Sequence, residues 1–473
     1  MSFIIFCFHL ITTEQIIVFN ILDDGAIGDG ITDNTQSIRQ TFLRAANYNL
    51  PCVVLIPPGD FLTGSLQISS NVSLHLAHNA ILRASDNASL YSCIPSMTSD
   101  TGSCDYPFLL VNHAHNVYIN GEGYIDAGAN NPPGHLVREY RESSNMLIPT
   151  EWNLPNCSYY SCRPKLLVIR YSYSIVLTNI TITNSPLWTV TVVESDNVLF
   201  DNITIIGDRR WPNNDGIDLI NSRNIIIRNS NISTGDDCIA IISHGSSSMY
   251  NITVENMDLQ STSAAIKVSA FEANSTGDMY NMIFRNIRIT DTNRGLCVAP
   301  RWGSSTISNL LFEQIYIETR FFGLDWWGTG EPIYVTGLSM SADRQWTGIL
   351  KNVTFHNIIA QGEQGIIVRG NTSILQNIYF ENVSLIINRW SNVTEHPSHD
   401  YRPSQEPQMS WAKVDGIFAL DINEFYLQDI NIEFKEPKQY YYGQCLNFSN
   451  ITQMVKVNVQ CRNFAKLSSS QEK

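Results

Sequence analysis

The chain has 473 residues, of which 43% are hydrophobic and only 16% charged, with a formal net charge of −14. That acidic balance argues against nucleic acid or an anionic membrane as a partner, and a polyanionic substrate would need local cations to hold it. No stretch reaches the roughly 18 apolar residues of a membrane-spanning helix.

At the amino terminus, residues 1–18 open with MSFIIFCFHLITTEQ, a short apolar run with no Lys or Arg ahead of it and no clear small-residue cleavage site. This is a weak match to a secretory leader. Residues 19–33 are turn-rich, and 32–47 then read as an amphipathic helix with Ile38, Phe42, Ala45 and Ala46 on one side. The sequence Cys52–Ile56, followed by PPGDF, reads as the first full strand.

Ten cysteines include no C-x₂-C pair, so they carry no metal signature. Cys93/Cys104, Cys157/Cys162 and Cys445/Cys461 lie in loop-like or terminal sequence and read as local disulfides of an oxidising compartment. Cys238 and Cys297 lie in strand-like sequence and read as buried thiols. Fourteen N-x-S/T sequons fit a glycosylated secreted protein, although many fall inside the repeats described next. Secretion is therefore the expectation.

One phrase recurs: two or three β-formers, one or two polar residues, an Asn, then another β-branched pair. It appears as IVLTNITIT, VLFDNITII, IIIRNSNIS, ITVENMDLQ, MIFRNIRIT, LLFEQIYIE, VTFHNIIAQ and IYFENVSLI. The markers are Asn179, Asn202, Asn229, Asn256, Asn286, Gln314, Asn357 and Asn382, spaced 23, 27, 27, 30, 28, 43 and 25 residues apart. A drifting period near 25, with strands of about 3–5 residues, predicts an all-β, single-stranded parallel β-helix whose helix 32–47 caps the open amino-terminal end. Asn suits the corners because it tolerates left-handed backbone, and its amide can bond to the same residue one coil on. A β-sandwich would instead show N-G or D-G hairpin turns every 8–12 residues, and these are scarce. Residues 388–409 are polar and Pro-rich and read as a long loop; 443–473 read as a cover for the far end, with 466–473 a disordered tail. Residues 19–465 thus read as a single domain.

Residues 211–241, WPNNDGIDLINSRNIIIRNSNISTGDDCIAI, place Asp215, Asp236 and Asp237 about one coil apart, with Asp218 beside them. Stacked coils bring such side chains onto one face. Carboxylates that cannot all ionise freely equip acid–base hydrolysis, glycoside hydrolysis above all. The rival readings of an Asp cluster are a Ca²⁺ site and simple corner-turning.

On these residues the chain resembles glycoside hydrolase family 28, the polygalacturonase family of the right-handed, pectin-lyase-like β-helix. The segments GAIGDGITDNTQSI, IPPGDFLTGSL, NVSLHLAHNAIL and INGEGYIDAG resemble its amino-terminal coils. Asn213-Asn214-Asp215 matches its N-T-D motif, and Gly235-Asp236-Asp237 its G-D-D motif. The resemblance implies inverting hydrolysis without metal or cofactor, with Asp236 as general acid and Asp215 and Asp237 activating water. Gly235 is expected to let the backbone bend so that both aspartates share a face.

The family's G-H-G and R-I-K motifs are missing; the matching positions read Ser263-Ala264-Ala265 and, roughly, Leu296-Cys297-Val298. His244 lies too close to Asp237 to supply the G-H-G histidine and reads as a turn residue. The R-I-K loss leaves the galacturonate carboxylate without its usual partner, and Lys267 and Arg301 are the candidate replacements. The segment from Trp326-Trp327 through Glu331-Pro332 resembles W-W-G-x-x-E-P stretches of bacterial-type members of the family. Trp327, Glu331 and Trp211 are candidate sugar contacts, with Trp188 in the same position of doubt between cleft and core. A monomer acting on a pectic polysaccharide or oligosaccharide is the resulting expectation. A non-catalytic carbohydrate-binding β-helix and a Ca²⁺-dependent polysaccharide lyase are the rivals.

Overall fold

The computed structural model describes residues 16–48, 50–96, 103–128, 138–141, 146–149, 163–272, 274–370, 374–404, 406, 412–435 and 439–462. The proposed leader, the tail 466–473 and the Cys157/Cys162 pair lie wholly or largely outside them.

Parallel strands join into one continuous sheet that winds from Ile17 to Arg462 as a parallel β-helix. All eight marker residues stand in the left-handed region, with φ between 51° and 57° for seven of them from Asn179 to Gln314 and Asn357, and 52° for Asn382. Corner amides bond along the stack as the repeat predicted at several coils: Asn202 donates to Asn179 at 2.7 Å, Asn256 to Asn229 at 2.9 Å and Asn286 to Asn256 at 2.7 Å, while Asn229 donates instead to Asp201 at 2.7 Å. A second ladder runs beside it. Asn251 donates to Asn224 at 3.0 Å, Asn352 to Asn309 at 3.1 Å and Asn377 to Asn352 at 3.0 Å. From Ser174/Asn179 to Asn377/Asn382, the two left-handed corners of every coil are separated by five positions.

The strands are longer than the 3–5 residues expected, as in the 13-residue Met249–Ser261. A left-handed Asn turns the chain without breaking the ladder to the neighbouring coil, so two short faces read as one strand. Between corners the side chains alternate, and Ile252, Val254, Met257 and Leu259 point into the core. Phe284, Phe312, Phe355 and Phe380 stack in register down that core with ring centroids 4.5, 5.0 and 4.8 Å apart.

The amino-terminal helix spans Thr35–Asn47 rather than beginning at 32, because Asp29–Asp33 is a strand paired with Gly59–Thr63. Asp33 accepts from the Thr35 amide at 2.9 Å and so caps the first turn from outside it. Ile38, Phe42 and Ala45 are buried against the first coils, as the helix pattern requires, while Ala46 is half-buried. At the other end Leu446–Arg462 is a further strand laid on Ile417–Phe434. Disulfides join Cys93 to Cys104 and Cys445 to Cys461, and Cys238 and Cys297 are buried free thiols.

Candidate active site

The site stands on one face of the helix, along the short strands Val190–Val193, Ile217–Ile220, Ile239–Ser243, Ala264–Ala270, Arg294–Val298 and Ile333–Thr336. Register fixes which side chains meet. One row runs Thr191, Asp218, Ala240, Lys267, Cys297. Two residues before Ile217 and Ile239, the same register sets Asp215 beside Asp237, and the Gly216 amide bonds to the Asp237 carbonyl at 2.9 Å. The next members of that second row are Ala264 and Arg294.

Asp215, Asp236 and Asp237 converge, with one carboxylate oxygen of each lying within 4.8 Å of the others. The Asp236 Oδ2 accepts from the Asn213 amide at 3.0 Å. Asn213 is itself left-handed, and buried Arg163 braces this turn by donating to the Pro212 carbonyl and to Asn213 Oδ1. Asn214 Oδ1 accepts from the Gly235 and Asp236 amides at 2.7 and 3.2 Å, tying the N-N-D turn to the G-D-D turn. Gly235 serves through lack of bulk rather than through unusual φ: a Cβ there would meet the Trp211 carbonyl oxygen at 2.1 Å.

Asp237 is buried and held on both oxygens. Oδ1 accepts from Ser263 Oγ at 3.0 Å and the Ala264 amide at 3.1 Å, and Oδ2 from Lys267 Nζ at 2.6 Å. Asp215 has an oxygen, Oδ1, with no hydrogen-bond partner. Asp218, fully buried, has none on either oxygen. Burial first, then the charges of Asp236, Asp218 and Asp237, lift the Asp215 carboxyl well above the ordinary range. Burial, with Asp237 second, also raises Asp236, against the pull of Lys267. Burial would lower the Lys267 ammonium, but the charges of Asp237 and Asp236 and the Asp237 hydrogen bond together outweigh it and hold the lysine protonated.

Lys267 therefore answers Asp237 and is not a free grip for substrate, which corrects the sequence reading. Its reach follows from the row: Ala240, one coil earlier, leaves room for the long stem beside Asp237. Arg301 lies against the Phe271 ring at 5.0 Å and the Trp327 ring at 5.6 Å, and Trp327 is 42% exposed. Trp327 can meet a ligand, whereas Arg301 is itself buried, at 5% exposure, behind the two rings. Two other candidates cannot as they stand. Trp211 is fully buried in the main core, where its apolar ring is worth more than at the surface. Glu331 is fully buried and taken up by the Thr329 amide at 2.8 Å, Thr329 Oγ1 at 3.1 Å and Arg294 Nε at 3.5 Å. Trp188 is buried beneath Lys165 Nζ, which sits 4.2 Å from its ring centre. His244 ends a cleft strand and faces Glu272 at 3.3 Å.

Ser263 and Asn214 were not singled out in sequence. Ser263 was legible only as a missing G-H-G, yet its hydroxyl and the next amide both donate to Asp237 Oδ1. The three carboxylates also form the one metal-like cluster among the described residues. Lys267 Nζ occupies the flank of Asp237 that a divalent ion would need, so the donor set fits a metal poorly.

A family model, Glycosyl hydrolases family 28, matches residues 50–385. A probable polygalacturonase of Vitis vinifera is 30% identical over 231 residues, covering 47% of this chain and 43% of that protein. An exo-poly-alpha-D-galacturonosidase of Dickeya chrysanthemi is 29% identical over 258 residues, covering 48% and 42%. The matches thus span less than half the length of either relative. Among solved structures, the family 28 exopolygalacturonase of Yersinia enterocolitica superposes with a TM-score of 0.67 at 18% identity, over 96% of this chain and 80% of that one. At that identity the likeness speaks for the fold.

Proposed function

The chain belongs to glycosyl hydrolases family 28, and from that premise we propose a secreted hydrolase of pectic polysaccharide or its oligosaccharides that inverts the anomeric centre. The observation that carries the reading is three converging aspartates served by one lysine. Asp237 is pinned by Lys267, Ser263 and Ala264. Asp236 keeps its proton to higher pH than a free aspartate, because burial and the Asp237 charge oppose its loss, and donates it to the glycosidic oxygen. Asp215 and Asp237 together orient and deprotonate the attacking water.

Trp327 stacks on a sugar ring, and the buried Arg301 behind it supplies positive charge toward a uronate carboxylate, which would compensate for the missing R-I-K pair. That loss, and the W-W-G-x-x-E-P segment, set the chain with the bacterial-type members of the family. Rhamnogalacturonan and homogalacturonan are both candidate polymers. The loops around residues 293–303 and 324–345 would stop a chain at one end and so favour exo action. Two disulfides support an extracellular setting.

Inverting enzymes hold acid and base carboxyls roughly 6.5–9.5 Å apart, and retaining ones about 5–5.5 Å apart. The 4.8 Å within which one oxygen of each aspartate lies is a closest atomic approach, not the separation of the groups. Proton NMR of freshly released product reads its anomeric configuration and decides.

The first test is reducing-sugar release from homogalacturonan, rhamnogalacturonan and debranched pectic oligosaccharides by wild type and Asp236→Asn. Release by wild type alone supports the reading. Equal inactivity of both proteins on all three overturns it in favour of a binding protein, and ultraviolet-absorbing products that vanish with EDTA overturn it in favour of a lyase.

A further inference from the structure

Trp327 is exposed, but the chain on either side of it is not loose. Arg402, from a loop 75 residues downstream, donates through Nη2 to the Trp326 carbonyl at 2.9 Å and to the Leu324 carbonyl at 2.8 Å. Asp400 accepts the Gly328 amide at 2.8 Å on the other side of the tryptophan. The two anchors are joined to each other, since Arg402 Nη2 also donates to Asp400 Oδ2 at 2.8 Å. Asn293, on the coil next to Lys267, donates to the Trp327 carbonyl itself at 3.2 Å. The peptide units before and after Trp327 are thus both fixed, while its ring faces outward with Arg301 alongside.

From this geometry we propose that Asp400 and Arg402 are positioning residues for substrate binding: they hold Trp327 and, through it, the sugar platform it shares with Arg301. The proposal rests on the functional reading above. It differs from a purely structural role because the bonds concentrate on the two residues flanking one exposed ring. A planar guanidinium suits the task, since one nitrogen fork serves two carbonyls and a carboxylate together. Asp400 is fully buried apart from these contacts, so its charge is spent inside the clamp.

The test compares kcat and KM of wild type, Arg402→Met, Trp327→Ala and the double variant on the preferred pectic oligosaccharide. In Arg402→Met, KM should rise about tenfold with kcat within about twofold, because binding is lost equally in ground and transition states. The double variant should be no worse than Trp327→Ala alone. A fall in kcat at unchanged KM, or additive effects in the double variant, overturns the proposal. Should Arg402→Met fail to fold, Arg402→Lys keeps the charge but loses the fork and gives the same comparison. If wild type cleaves no pectic substrate, the functional reading fails, and the clamp is judged separately by acrylamide quenching of the Trp327 emission (wild type minus Trp327→Phe). Greater quenching in the Arg402 variant supports the clamp, and unchanged quenching overturns it.

Discussion

Two buried charged groups stand on the same row of coils, and they are built on opposite principles. In the first, Asp215, Asp236 and Asp237 share Lys267, with Asp218 behind them answered first by Lys165. In the second, two coils on, Arg294 and Arg402 meet Glu331 and Asp400, cation for anion, with the Arg294 guanidinium also 3.9 Å from the centre of the Tyr334 ring. The balanced group joins two long insertions. The unbalanced one keeps protons that a balanced site would release. Unmatched charge in the interior is costly to the fold, so its presence marks where the molecule does chemistry.

The widest gap between the two should open on neutralising one member of each. Asp236→Asn is expected to lower sugar release by about 10²–10⁴-fold, the range of a lost general acid, while leaving the melting temperature equal or higher. Glu331→Gln should do the reverse. It strands Arg294 in the interior and is expected to destabilise by about 3 kcal/mol in urea unfolding. Neutral behaviour of Glu331→Gln would break the comparison.

Titration sharpens it further. The Asp215 and Asp236 carboxyls are raised, so folding takes up protons above about pH 3.9, and stability should decline as pH climbs through that interval. Burial pushes Asp400 up, but Arg402 and Arg294 hold it below the ordinary value, so its contribution is complete above about pH 3.9 and is lost as pH falls. Melting curves of Asp215→Asn/Asp236→Asn should weaken the first dependence, part of which Asp218, also raised by burial, retains, and keep the second. The smallest effect should come from the scaffold: Asn256→Ala, which forfeits two ladder bonds and strains a left-handed residue, is expected to cost about 1–2 kcal/mol by chemical unfolding.

The scaffold was the legible part, because its signal repeats. Each marker Asn is forced by the same corner geometry, so eight weak clues in register amounted to a fold. The same geometry explains why sequons at Asn179, Asn202 and Asn382 are weak glycan candidates, since these amides are engaged in the ladder. The second ladder went unread because its Asn residues open the strands, where polar residues attract no notice. At the site, the aspartates were legible through their motif contexts. Trp211 and Glu331 were misplaced because sequence gives side-chain chemistry but not the direction of a loop. Arg294, which pairs with Glu331, comes from a segment 37 residues before it.

The constant spacing of the two corners has a consequence for which changes of length the chain can absorb. Coil steps vary from 23 to 43 residues between Asn179 and Asn382, yet the five-position interval between corners does not change. Lengthening a segment outside that interval adds only loop-closure entropy, roughly 0.6 kcal/mol for each doubling. One residue added inside it would turn every following side chain of that face inside out. Deletions and insertions should therefore be freely accepted along the rim of the cleft and rejected at the opposite edge. Such a partition allows the rim to be rewritten for a new glycan without refolding the coils beneath it.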